Sequence, residues 1–527
     1  MYKRQNLVGR SFKYHRPRGI YTCGIEEPNA LVQIISEYSE PNTRATIKKI
    51  YEGMEVESQN RWPSLDNDIG SINSLFSPLF SAGFYYKTFM GPHKSFWKKI
   101  YEPIIRRAAG LGKPPKEFRA LSSHFHHNVD IVIVGAGLNG LLAAKSLINT
   151  NYDILLVDFD DHLGGIINNS NKISLIDNQN PREWVKSTVE AIEKSKNIKI
   201  LKNTLVTTYN YINHLIAVED KHVGSRPSEN KVNNILHKIR TDHVILCNGH
   251  IERFLSFQNN DLPGIMLASS FEKYICRYGT LPSKEPVIFS NNSNSNSLIY
   301  SIINQGYKPK AYIDSRSGEN IEPELFDLIR KHDIPLYTNS QIKGVSGKKR
   351  IEKILIEDST GGLSEIYSDF LCVSGGINPD VHLFTQSKGL LDWDERDLTY
   401  KPSKPFQPTI TLGSASGQFN LEKVSDEINE KLKIFKNKVL DTQIVLNTKE
   451  SYQIEKLWEI SPHKSSMWSK SFIDLQNDVT TKDIRQAISE GFDRIEHLKR
   501  YTTTVSYTHL RAHETKANLV CRLLLEK

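Results

Sequence analysis

A glycine-spaced loop set between an apolar strand and an apolar helix constrains this chain more than any other feature. Val129 to Val134 reads as a buried strand, Gly135-Ala136-Gly137-Leu138-Asn139-Gly140 follows at once, and Leu138 to Ile148 reads as a helix. A second strand over Tyr152 to Val157 ends on Asp158. A glycine triplet alone is weak evidence, but strand, turn, helix and terminal acid together form a dinucleotide-binding fingerprint. The first glycine permits the tight turn, Gly137 lets backbone approach a pyrophosphate, and Gly140 brings helix against strand, while the helix amino terminus supplies positive potential. Asp158 would accept hydrogen bonds from a ribose 2′-hydroxyl, which disfavours NADP and leaves NAD and FAD both open. Gly164 and Gly165, after Leu163, either pass bare backbone beside the phosphates or form an ordinary surface turn. Gly413-Ser414-Ala415 is expected to bring a further helix amino terminus to the ligand.

Short alternating segments near Ile198 to Tyr209, Leu215 to Glu219 and Ile235 to Arg240 read as a β-meander that returns through His243 to Cys247. From Pro286 to Ser368 the βαβ rhythm repeats, with strand Val287 to Phe289, helix Leu298 to Asn304, strand Lys310 to Ile313, and then Asp314. Where glycines should stand this repeat has Asn291-Asn292-Ser293-Asn294-Ser295-Asn296, whose Cβ atoms would crowd a pyrophosphate. The second site therefore reads as degenerate, and Asp314 as a ribose acid without its glycine turn. Strands at Phe370 to Val373 and Thr409 to Leu412 are expected to resume the first domain. The fold class is α/β: an FAD/NAD(P)-binding Rossmann-type domain with a second, inserted dinucleotide-type domain, a small β-rich N-terminal unit and a helical C-terminal segment. The expected boundaries are 6–43 for the β-rich unit, 44–127 for a wrapping extension, 128–283 and 369–445 for the two parts of the first dinucleotide domain, 284–368 for the insertion, and 446–504 for the helical segment. Within the extension, a helix is expected at Phe96 to Ala109, kinked at Pro103, and Thr480 is a plausible cap for a helix near Ile484.

The formal charge of +8 is spread along a Lys-rich and Asn-rich chain of 527 residues, so no nucleic-acid partner is read from it. No apolar window reaches the roughly 18 residues of a membrane span and no signal segment follows Met1, so a cytoplasmic location is expected. The five cysteines have no paired spacing, which argues against a disulfide framework, a zinc site or a CxxC redox pair. His124, His126 and His127 fall in what reads as a solvated polar linker, and the basic segment Arg10 to Arg18 as either a surface loop or a holder of a phosphate or carboxylate. No metal site and no catalytic base or nucleophile is identified. Residues 1–5 and 505–527 resemble translated sequencing adapters, so His509 and His513 carry no functional weight, and the natural protein is expected to begin before Asn6 and to continue beyond Thr503.

Gly9 to Gly19, Glu26 to Val32, Glu57 to Asp66, Ala82 to Met90, Asn259 to Ala268 and Gln476 to Thr480 together closely resemble the α subunits of the heterotetrameric sarcosine oxidase family. The resemblance covers nearly everything between the adapter-like ends. It implies oxidative demethylation of sarcosine by a complex with β, γ and δ subunits, FAD in the β subunit, FMN shared at the α/β boundary, and NAD bound without catalytic use in the α subunit. NAD would contact Asn139, Asp158, Phe159, Asp160, Val206 and the Ser414 loop. A folate-binding domain would follow Thr503, where the adapter-like tail stands instead. The resemblance also makes 6–43 a ferredoxin-like remnant. Only Cys23 stands where four thiolates are needed, and Phe472 to Gln476 replaces a segment in which relatives carry cluster cysteines, so no iron-sulfur cluster is expected. Alternative readings are a self-sufficient FAD-dependent oxidoreductase with an NAD(P)H donor, or an amine dehydrogenase subunit.

Overall fold

The computed structural model describes residues 7–8, 13–35, 40–64, 67–89, 91–112, 121–226, 231–435, 439–447, 452–464 and 469–504. The adapter-like ends and His509 and His513 lie outside them. Near the amino terminus, β1 (Leu31–Ile35) is flanked by antiparallel β2 (Glu40–Arg44) and β3 (Glu55–Ser58). The loop before β1 is fixed by the buried Glu27, whose carboxylate accepts N–H groups of Tyr21, Thr22, Asn29 and Ala30. Burial pushes its pKa up to about 7 despite those four donors.

Of the basic segment, Arg10 lies outside the described residues, and Lys13 to Arg18 turn inward. Arg18 is fully buried, with Nη2 2.7 Å from Asp478, Nε 3.2 Å from Asp261 and its guanidinium 4.5 Å from the centre of the Phe472 ring. Arg16 reaches Asp261 at 3.0 Å and Lys13 reaches Asp483 at 3.1 Å. Three sequence stretches that carry the family resemblance therefore meet in one buried ion cluster. In the extension, the helix expected at 96–109 runs from Lys94 to Ala108, and its turn at Trp97–Tyr101 is a wide π turn immediately before Pro103. Proline has no N–H for the regular ladder, and the widened turn absorbs that gap.

The first dinucleotide unit comprises β4 (Leu121–Val134), α1 (Leu138–Ser146), β5 (Ile154–Val157), α2 (Pro181–Lys194), β6 (Ile198–Leu201), β7 (Thr204–Asn210), β8 (His214–Asp220) and β9 (Val232–Leu246). Its sheet order is β7-β8-β9-β4-β5-β6, parallel from β9 to β6 and antiparallel through the meander. Side chains alternate across each strand. Ile131, Ile133, Ile154 and Leu156 join Leu141 and Trp184 in one core, while Val132, Val134, Leu155 and Val157 pack against the meander in another. Continuous apolar runs suit strands covered on both faces.

The second unit carries β10 (Ile265–Leu267), α3 (Ala268–Tyr278), β11 (Val287–Ser290), α4 (Asn296–Asn304), β12 (Ala311–Asp314), β13 (Leu336–Tyr337), a meander β14 (Gln341–Ser346), β15 (Lys353–Glu357) and β16 (Leu363–Tyr367), and β17 (Leu371–Ser374). Its parallel sheet has the order β10-β17-β11-β12-β13. Two sequence readings change here. The strand at 370–373 does not return to the first sheet but pairs with β10 and β11; a short apolar run fits either parallel sheet equally well. Only β18 (Thr409–Thr411) returns, beside β9. Likewise His124, His126 and His127 lie within β4, because the long β9 pairs with that strand from Leu121 onward. The chain continues through α5 (Val424–Lys431), α6 (Thr481–Ser489) and α7 (Ile495–Thr502), with Thr480 capping α6 in a reciprocal pair with Asp483. Among the described residues no helix is long and apolar enough to cross a membrane.

Candidate functional site

The fingerprint loop leaves β4 at its carboxyl end and enters α1, and each glycine meets a different neighbour. Gly135 has φ +97°, and a Cβ there would stand 2.5 Å from the Cys247 carbonyl oxygen. At Gly140 a Cβ would fall 1.8 Å from the Gly135 carbonyl oxygen, so only glycine lets α1 close on the loop. At Gly137 a Cβ would meet nothing nearer than Gly165 Cα at 3.7 Å, an ordinary contact, so packing within the chain does not require a glycine there. The expected turn at Gly164 and Gly165 does lie against this loop: the Gly164 N–H donates to the Ala136 carbonyl at 2.9 Å, and Gly137 and Gly164 form a parallel bridge.

Asp158 ends β5 beside the loop. Its carboxylate accepts the Ala136 N–H at 2.5 Å and the Asp160 N–H at 2.8 Å. Desolvation nevertheless raises its pKa to about 6. Phe159 is exposed and Asp160 is half-buried in a two-pronged ion pair with Arg277 of α3. Val206 lies in the core of β7, two residues past Thr204, whose N–H donates to the Asp158 carbonyl at 2.8 Å. Asp161 is paired with Lys49 and with His162, so the carboxylates of this acidic corner are already engaged by cations. It forms an ion-pair network.

The late loop enters a short 3-10 helix over Gly413 to Ser416, with the Gly413 N–H bound to Glu427 at 2.7 Å. Gly413, at φ +63°, has no room for a side chain because Asn139 Nδ2 stands 2.0 Å from its ideal Cβ position. Asn139 itself has a buried Oδ1 without a hydrogen-bond partner. Ser414, half-buried, follows directly. Local sequence gave no signal for Arg277 or Glu427, which act on this site from α3 and α5.

The equivalent turn of the second unit is filled by the chain itself. Asn291 and Asn292 are fully buried, and the segment from Gln453 to Leu457 lies across them. Ser293 N–H donates to the Gln453 carbonyl at 3.0 Å, Glu455 N–H to the Asn291 carbonyl at 2.9 Å, and Asn291 Nδ2 to the Glu455 and Leu457 carbonyls at 3.0 and 3.3 Å. Asp314 is clasped by Arg316 through Nε at 3.0 Å and Nη2 at 2.7 Å. Its acceptors face a guanidinium, not a ribose.

Two dinucleotide-type units in one chain, the first with a glycine-lined turn, define an α/β fold of the FAD/NAD(P)-binding class. Residues 133–189 match the NAD(P)-binding Rossmann-like domain, and residues 468–515 match the sarcosine oxidase A3 domain. The L-proline dehydrogenase of P. horikoshii shares the fold with a TM-score of 0.59 at 17% identity, covering 99% of this chain and 87% of that one. The sarcosine oxidase subunit alpha of Rhizobium meliloti (strain 1021) is 35% identical over 94% of this chain and 50% of its own length. That of Corynebacterium sp. (strain P-1) is 24% identical over 95% of this chain and 48% of its own. The chain is similar to sarcosine oxidase α subunits, and it spans about half the length of the curated relatives it matches.

One expectation is corrected by these matches. Residues 2–61 match the 2Fe-2S iron-sulfur cluster binding domain, against the reading that no such cluster belongs to this chain. That reading counted thiolates, whereas a domain match recognises the scaffold that presents them. As for fit, Cys23 is the one cysteine in that span, buried, with burial raising its thiol pKa. A thiolate set of four is not assembled from it, and no step of the chemistry assigned to this chain runs through a cluster.

Proposed function

We propose that this chain holds NAD in its first Rossmann unit as part of an α subunit in a sarcosine oxidase-type complex. Oxidation of the amine takes place on a partner chain. The observation that carries the reading is the fingerprint turn itself, in which Gly137 has no packing reason to be glycine, with the buried, unpartnered Asn139 Oδ1 and the Asp158 carboxylate beside it. Gly135, Gly137 and Gly140 would shape the pyrophosphate turn, with Gly164 and Gly165 behind it. Asp158 would receive the adenosine ribose, with Phe159, Asp160 and Val206 around the adenosine and Asn139, Gly413 and Ser414 closing the other side. In this role NAD is structural, stabilising the folded chain in proportion to its affinity. A β-type subunit would share FMN with this chain, γ- and δ-type subunits would complete the cytoplasmic assembly, and a folate-binding domain would accept the one-carbon unit. The names of the relatives, each a subunit alpha, support an assembly of this kind.

A nicotinamide donor site in the second unit finds no support, because Gln453 to Leu457 already binds its turn. The test is to purify the chain, denature it and identify the released nucleotide by mass. NAD is expected; FAD in its place overturns the assignment, and an empty protein that takes up neither nucleotide overturns the site.

A further inference from the structure

We propose that one face of the first meander, over β8, β9 and the early part of β4, binds a phosphate or diphosphate group of a small molecule. Strand register creates the site. His214 is paired with Arg240 and Arg240 with Asn128, and in the adjacent row Ile216 is paired with Lys238 and Lys238 with His126. Alternation puts both rows on the same face. Rows lie roughly 7 Å apart along a strand and strands about 4.8 Å apart, so the four basic side chains come within reach of a single anion of this size. His126, His127, Asn128, His214, Lys238 and Arg240 line a cavity of about 560 Å³ there. Ligand pockets span about 300–1,000 Å³.

Lys238 and Arg240, two residues apart on β9, place two positive charges on one face of the sheet. Among the described residues neither Lys238 nor Arg240 makes an ion pair. The meander carboxylate Glu219 serves Lys221 and His237 instead. Asp130 and Asp242 stand one row further along, and Asp130 accepts the Asp153 N–H at 2.7 Å. A bound dianion would neutralise these two charges and, with Arg240 and Asn128 as directional donors, gain charge-assisted hydrogen bonds. The site is separate from the dinucleotide cradle. Asn128 precedes the end of β4 at Val134 by a run that spans about 20 Å of extended strand.

The test titrates inorganic pyrophosphate calorimetrically into the whole chain with NAD in excess, so that the fingerprint turn is not the site measured. Saturable one-to-one binding is expected, weakened at least tenfold in K238Q/R240Q and unchanged in K353Q, whose lysine is paired with Glu365 in the other meander. Thermal unfolding of K238Q/R240Q should show a fold at least as stable as the parent, because two like charges have been removed from one face. No saturable binding by the parent chain, or equal binding by K238Q/R240Q, overturns the proposal. Succinate binding as tightly as pyrophosphate overturns the assignment to a phosphate group.

Discussion

The two dinucleotide-type units share a plan, a parallel sheet with a three-stranded meander, yet they treat the same turn in opposite ways. In the first, Gly135 and Gly140 bring backbone together, while packing does not require a glycine at Gly137. In the second, asparagines fill the turn and hydrogen-bond to a returning segment from Gln453 to Leu457. One turn is the dinucleotide site proposed above, and the other is satisfied by the chain. A fold can therefore keep the architecture of a nucleotide site after losing the site, because buried polar groups need partners but not any particular ones.

The contrast can be broken in four places. The largest effect is expected at Gly140, where Gly140→Ala drives a Cβ into the Gly135 carbonyl and should cost about 3 kcal/mol of stability, read from the urea midpoint. Gly137→Ala should do the reverse: stability within about 0.5 kcal/mol of the parent, but NAD affinity roughly 100-fold lower by calorimetry, equivalent to about 2.7 kcal/mol. An equal loss of stability at both glycines would remove the distinction between a packing glycine and a ligand glycine. In the second unit, Asn291→Leu leaves the Glu455 and Leu457 carbonyls without their donor and should destabilise by about 2 kcal/mol without altering NAD binding.

Asp158 gives the smallest change and a pH signature. Asp158→Asn should weaken NAD roughly tenfold, about 1.4 kcal/mol. With its folded pKa raised to about 6 from 3.8, the free chain binds this proton more tightly folded than unfolded. The stability it contributes is therefore fully present below pH 3.8 and is lost as pH rises through about 6. Ribose recognition needs the ionised carboxylate and so runs the other way, with NAD affinity declining as pH falls below about 6. Affinity that is flat from pH 8 to 5 in the parent, or equally sloped in Asp158→Asn, would contradict this role.

The first unit was legible because its signals are local: apolar strand, glycine turn, apolar helix and terminal acid within thirty or so residues. The cap at Thr480 was legible for the same reason. What escaped was long-range. Strand Leu371–Ser374 reads identically in either sheet, and its assignment depends on β10 and β11. His126 reads as linker because polar residues alternate there with polar residues, while the pairing that makes a strand comes from β9. The basic segment gave no sign that Asp261 and Asp478 would neutralise it. Nor does the Asn-rich turn announce a partner more than 150 residues later, although its crowding against a pyrophosphate was readable from residue type alone.

The central claim is that one turn binds a dinucleotide and the other binds the chain. Equilibrium titration of the nucleotide-free chain with NAD tests it most directly. One NAD per chain is predicted, weakened roughly 100-fold by Gly137→Ala and untouched by Asn291→Leu. Two sites, or binding that is unchanged in Gly137→Ala and lost in Asn291→Leu, would contradict the account.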